Sequence, residues 1–136
     1  MKTLSLLIIT LFIVTGCTPK QEAPAPQPET EEMSLFEDIT PTELDEIAAG
    51  DPDVIILDVR TDEEVAEGMI EGAIQIDYRS PDFRDKIAEL DSSKTYIVYC
   101  RSGGRSSATC EILTQELGFE NVKNLEGGYS AYSESE

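Results

Sequence analysis

An α/β domain with a largely parallel central sheet flanked by helices is what this sequence predicts, and three observations carry the prediction. Continuous apolar, β-branched runs occur at Val54-Ile55-Ile56-Leu57 and Tyr96-Ile97-Val98-Tyr99. Such runs lack the alternation of a half-solvated strand and suit strands buried on both faces, as in a parallel sheet. Between them lie segments with apolar residues at helical spacing and with capping signals at their starts. Strand and helix patterns therefore alternate, as they do when parallel strands are joined by crossover helices.

Taken in order, Thr40-Pro41-Thr42-Glu43 opens the first helix. Thr40 can cap, Pro41 suits the first helical position and Glu43 can close a capping box. Leu44, Ile47 and Ala48 follow on one face, and Gly50-Asp51-Pro52 stops the helix. After the strand at Val54 to Leu57, Asp58-Val59-Arg60 leads to a second capping box, Thr61-Asp62-Glu63-Glu64, and a short helix through Ala66. Ala73 to Ile76 reads as a strand, and Phe83, Ile87 and Leu90 share a helical face. The strand Tyr96 to Tyr99 runs straight into Cys100. A helix over Ser106 to Leu117 carries Cys110, Leu113 and Leu117 on one face and ends at Gly118. Val122 to Leu125 is a last short strand, and Gly127-Gly128 turns the chain into Tyr129 and Tyr132.

The amino terminus reads as an address. Lys2 precedes an apolar run from Leu4 to Val14, too short for a membrane span and shaped like the core of a signal peptide. It ends in Val14-Thr15-Gly16-Cys17, which resembles a bacterial lipoprotein box, with residues 1–16 as the signal and lipid on Cys17. Acyl chains contribute about 0.8 kcal/mol per buried CH₂, and several of them hold a small domain on a bilayer. Residues 17–35 are rich in Pro, Glu and Gln and poor in large apolar groups, a tether rather than a fold. The expected domain spans residues 36–136, exported and anchored to the cell membrane or outer membrane.

Composition narrows the chemistry. The 136 residues carry net charge −18, a field that repels nucleic acid and anionic lipid. The sequence contains no histidine, which excludes Ser-His-Asp and Cys-His catalysis and any histidine metal site. Cysteines occupy positions 17, 100 and 110 without a CxxC pair, so neither a zinc knuckle nor a thioredoxin-like redox pair is predicted. No metal and no dissociable cofactor is expected.

Against this acidic background stands Tyr99-Cys100-Arg101-Ser102-Gly103-Gly104-Arg105-Ser106. In open α/β sheets, sites form beyond the carboxyl ends of the strands, where Cys100 falls. Gly103 and Gly104 let the backbone curl, and a curled loop aims several N–H groups at one centre. The following helix start and the charges of Arg101 and Arg105 also favour an anion. Together they favour thiolate over thiol at Cys100, an activation that needs no imidazole. Cys110, on an apolar helix face, reads as core packing; a disulfide to Cys100 would require the loop to fold back.

These motifs together resemble the single-domain rhodanese-like sulfurtransferases. The likeness runs over residues 36–134: ITPTEL, LDVR at 57–60, GMIEGAIQI at 68–76, YCRSGGRSS at 99–107, GF at 118–119 and LEGGYSAY at 125–132. It implies that Cys100 accepts a sulfane sulfur as a persulfide, cradled by the amides of Arg101, Ser102, Gly103, Gly104, Arg105 and Ser106. Arg105 matches the arginine that closes the loop, and Arg101 a position that helps hold an anionic donor. Asp58 and Arg60 match a supporting pair. Four residues separate Cys100 from Arg105; related phosphatases have a loop one residue longer, whose wider ring suits phosphate. Met69, Tyr129 and Val65 depart from the family's frequent histidine, tryptophan and aromatic, and all three read as packing positions.

The resemblance implies sulfur transfer from a small anionic donor such as thiosulfate to cyanide or a thiol. A persulfide carrier or a non-catalytic binding module at the cell envelope is the alternative, and an arsenate or phosphate-ester enzyme a weaker one.

Overall fold

The computed structural model describes residues 34–136. The signal segment, Cys17 and the tether as far as residue 33 lie outside the described residues. Ser34 and Leu35, the last two positions assigned to the tether, are exposed.

Five strands form one sheet in which every neighbouring pair is parallel. They are β1 (Glu37–Ile39), β2 (Val54–Asp58), β3 (Ile74–Gln75), β4 (Thr95–Tyr99) and β5 (Val122–Leu125), ordered β1-β5-β4-β2-β3. The central strand β4 pairs with β2 along its whole length, from Thr95 opposite Val54 to Tyr99 opposite Asp58. Connections leave β2 and β4 in opposite directions, which places the switch point of the sheet between them. A crevice forms there, beyond the strands' carboxyl ends. Asp58 to Arg60 line one side of it and Cys100 the other.

Apolar residues at alternate strand positions feed two cores. Leu57, Tyr96, Val98 and Val122 pack with Phe83 and Ile87 of α3 (Phe83–Ala88) and with Cys110 and Leu113, so α3 and α4 (Gly104–Glu111) cover one face. Ile39, Ile56, Ile97, Tyr99 and Leu125 pack with Leu44 of α1 (Pro41–Gly50) and with Tyr129 and Tyr132 of α5 (Gly128–Ser135) on the other. Both predicted capping boxes form: Thr40 and Glu43 start α1, and Thr61 and Glu64 start α2 (Asp62–Ala66).

Three features differ from the sequence reading. β1 was not foreseen, because Glu37-Asp38-Ile39 holds one apolar residue. It forms through its neighbour, where Glu37 pairs with Lys123 and the Asn124 amide donates to Asp38 Oδ1 at 2.7 Å. α5 was read only as a turn, since serine and glycine are weak helix formers. The helix predicted over Ser106 to Leu117 starts at Gly104, and its last part, Ile112–Glu116, widens to a π-helical turn. There the Leu117 amide reaches Ile112 O at 3.1 Å, five residues back, while the Thr114 hydroxyl donates to Cys110 O at 2.8 Å.

Leu113 is wholly buried where α4 passes into that turn. Leu113→Ala is expected to cost about 2–5 kcal/mol, read as a lowered urea midpoint with an unchanged slope.

Candidate active site

Cys100 follows directly on β4 and is 1% exposed. The chain then turns through Gly103, whose φ of +107° is open to glycine, and enters α4. This turn points the Gly103 N–H at Cys100 Sγ, 3.1 Å away. The buried Ser106 hydroxyl lies 3.5 Å from Sγ and 3.0 Å from Gly103 O, so its single proton serves one of them at a time. Burial opposes ionisation of Cys100. Hydrogen bonds from the Ser106 hydroxyl and from the amides of Ser106, Gly103 and Ser102 outweigh it, and the thiol is held below its ordinary value.

The loop's outward carbonyls are held by α5. Tyr129 N–H donates to Cys100 O at 2.8 Å and Ser130 N–H to Arg101 O at 3.0 Å. Two otherwise unpaired amides of a helix N-terminus thus fix the carbonyls on one side, leaving the amides on the other. The approach is close enough to require glycine. A Cβ on Gly128 would lie 2.5 Å from Cys100 O and 2.7 Å from Arg101 C, and its φ is +60°.

Arg105, whose charge the sequence reading counted toward the anion, is also engaged in an ion pair. Its guanidinium meets the Glu64 carboxylate in two 2.7 Å hydrogen bonds, from Nη1 to Oε2 and from Nη2 to Oε1. The main stabilisers of the thiolate are therefore hydrogen bonds rather than arginine charge. Glu64 also accepts from Thr61 N–H at 3.1 Å. Its carboxyl is held at about 2 against an ordinary 4.5, chiefly by Arg105, with burial opposing and Thr61 adding. The sequence marked Glu64 only as a helix-capping residue; its partner lies 41 positions away, beyond the reach of local pattern.

Arg60 is buried and forks onto Asp58, with Nη2 to Oδ2 at 2.7 Å and Nε to Oδ1 at 3.0 Å. It also donates to Gly68 O at 2.7 Å and Glu64 O at 3.3 Å, and the Tyr129 ring sits 4.1 Å from its guanidinium carbon. It therefore braces the segment that carries Glu64. Arg101, Ser102 and Gly104 are exposed on the loop, and Arg101 has no ion pair among the described residues. Tyr129 packs against Arg60 and Tyr99, and Val65 is half-buried. Met69 differs from its expected packing role: it is 37% exposed, next to the buried Ile70. Cys110 is buried and unpaired, and burial pushes its thiol up.

An ionisable thiol ringed by amides at the switch point of a parallel sheet defines an α/β domain with an activated cysteine. The chain belongs to the rhodanese-like family, whose domain model matches residues 40–135. It is 43% identical over 97 residues to the YtwF protein of Bacillus subtilis, covering 71% of this chain and 90% of that one. With a sulfurtransferase of Allochromatium vinosum it shares 34% identity over 99 residues, 73% of this chain and 90% of the relative. Among solved structures, a rhodanese-like domain protein from Staphylococcus aureus superposes with a TM-score of 0.63 at 33% identity, covering 71% and 91% of the two chains.

Two predictions follow from the contrasts within the site. Alkylation of the native protein is expected to label Cys100 with a midpoint below the ordinary thiol value of about 8.5, and to spare Cys110; mass mapping across pH reads both. Glu64, with its native pKa lowered, binds fewer protons folded than unfolded. Its contribution to stability is full above its ordinary 4.5 and is lost as pH falls toward about 2. Glu64→Gln should therefore be less stable than the parent near neutrality, and the gap in urea midpoint should close with acidification.

Proposed function

We propose that the protein is a rhodanese-type sulfurtransferase that carries sulfur on Cys100. The observation that bears most weight is the Gly103 amide 3.1 Å from Sγ, with the Ser102 and Ser106 amides also stabilising the thiolate. A ring this small, four residues from Cys100 to Arg105, suits one sulfur atom better than a tetrahedral phosphate. Oxyanion donors act at about 2.7–3.1 Å, and a wider ring would be needed to reach three phosphate oxygens at once.

In the first half-reaction the Cys100 thiolate attacks the outer sulfur of a donor such as thiosulfate. A new S–S bond forms, the bond to the sulfonate sulfur breaks, and its electron pair leaves with sulfite. Arg101, unpaired at the loop, offsets the donor's charge. Glu64 holds Arg105 and so the loop's shape, with Asp58 and Arg60 bracing from behind. In the second half-reaction cyanide or a thiolate takes the outer sulfur and Cys100 leaves as thiolate. The persulfide is the only carrier, so no cofactor is needed. The reading places the domain outside the cytoplasm, held to the membrane by lipid on Cys17, with small sulfur compounds rather than nucleic acid as partners. The alternative is a carrier that loads sulfur and hands it to a partner protein without turning over.

Incubation with thiosulfate should add one sulfur atom to Cys100 by mass, and cyanide should remove it as thiocyanate. Cys100→Ser is expected to abolish both. Full activity in that variant would overturn the proposal, while loading without turnover in the parent would favour the carrier.

A further inference from the structure

Ion pairing divides the cations of this chain unevenly. Among the described residues every lysine and arginine is paired with a carboxylate except Arg79 and Arg101. A pair presents a dipole whose field fades quickly, whereas an unpaired cation acts over about a Debye length, ~8 Å at physiological salt. In a chain of net charge −18, these two arginines are the described places where an anion can be drawn in.

Both stand beyond the carboxyl ends of strands, but against different faces of the sheet. Arg101 shares a recess with Tyr129 and Ser130 of α5. Arg79 lies in the turn between β3 and α3, and its neighbour Tyr78 packs against the cluster that holds Cys100, Phe83 and Ile87. Hydrogen bonds tie this turn to the loop. Tyr78 N–H donates to Val59 O at 3.2 Å, and Val59 N–H to Tyr99 O at 3.0 Å, one residue before Cys100. Hydrogen-bonded backbones lie about 5 Å apart, so two such steps set Tyr78 about 10 Å from Tyr99.

The turn is held by its own contacts. Asp77 Oδ1 accepts from Arg79 N–H at 2.8 Å, Asp77 O accepts from Ser80 N–H at 3.0 Å, and the Tyr78 and Phe83 rings meet edge to face at 5.0 Å. The Asp77 carboxylate thus bonds the Arg79 backbone and lies within electrostatic reach of Arg105, while the Arg79 side chain is exposed. The cations of α3 and α4, namely Arg84, Lys86 and Arg105, are each closed by a carboxylate. On the face where the sulfur packs, Arg79 is therefore the source of uncompensated positive charge among the described residues.

We infer that Arg79 is a positioning residue for the anionic donor, drawing it to the face of the sheet on which Cys100 packs, a role that rests on the sulfur-transfer reading above. It acts through its field, on capture of the donor and not on the bond exchange at sulfur. It should govern kcat/KM for an anionic donor and leave kcat unchanged.

Alkylation gives a readout that needs no sulfur transfer. Iodoacetate and iodoacetamide differ by one negative charge, and the same Cys100 thiolate attacks both. Rates at Cys100 are read by mass in the full-length chain and in Arg79→Gln. At low salt the variant should lose about twofold with iodoacetate and nothing with iodoacetamide, as expected for one charge acting across ~10 Å of water. Sulfur loading from thiosulfate, a dianion, should fall about fourfold, because the energy scales with the ligand's charge. Both losses should close in 1 M salt, where the Debye length is about 3 Å. Lys94→Gln makes the same change in net charge just before β4, a strand length from Cys100, and should stay near the parent. An equal loss with iodoacetamide would mean that Arg79 alters the thiol's acidity and would overturn this role. So would an unchanged iodoacetate rate, or a loss matched by Lys94→Gln. A twofold loss with iodoacetate in a chain that takes no sulfur from thiosulfate would support the capture of anions and overturn the transfer reading instead.

Discussion

The site depends on two hydrogen bonds made by the start of α5. By taking the carbonyls of Cys100 and Arg101, the amides of Tyr129 and Ser130 decide which way the loop's peptide planes face. A peptide plane has two sides, so a carbonyl held outward presents the neighbouring amide inward. The Ser102 amide, one of the donors that stabilise the Cys100 thiolate, is thus oriented from outside the loop. Gly128 is the geometric condition for this, since any side chain there would occupy the space of the Cys100 carbonyl.

The electrostatics are arranged in the same indirect way. A buried thiolate would ordinarily call for a nearby cation. Here the guanidinium of Arg105 is taken up by Glu64, and the buried Arg60 by Asp58. These pairs act as braces: Arg60 fixes the Glu64 carbonyl while the Glu64 side chain fixes Arg105. Neutral dipoles do most of the stabilising of Cys100. Arg101 remains exposed on the loop, outside the ion pairs of the described residues.

Much of this was legible in the sequence, for local reasons. The buried strands announced themselves by unbroken apolar runs, and the helix starts by Thr40-Glu43 and Thr61-Glu64. Cys100 stood out because glycine and arginine beside a strand end serve no packing purpose. What escaped notice depends on partners distant in sequence. β1 exists because β5 offers Lys123 and Asn124, and α5 because the loop and α1 offer surfaces to cover. Glu64 carried a sufficient local role in its capping box, which concealed its tie to Arg105. Gly127-Gly128 signalled a turn but not the carbonyl pressed against it. Met69 was read as a packing position because it stands where the family often has histidine, and it lies exposed next to the buried Ile70.

Chain order gives the clasp by α5 one more consequence. All five strands precede α5, so the sheet can be laid down before the two amides that orient the loop have been synthesised. The carbonyls of Cys100 and Arg101 are therefore clasped by an element that follows the whole sheet in the chain. The acidity of Cys100 is thus tied to the seating of α5 on the loop rather than to the loop residues alone.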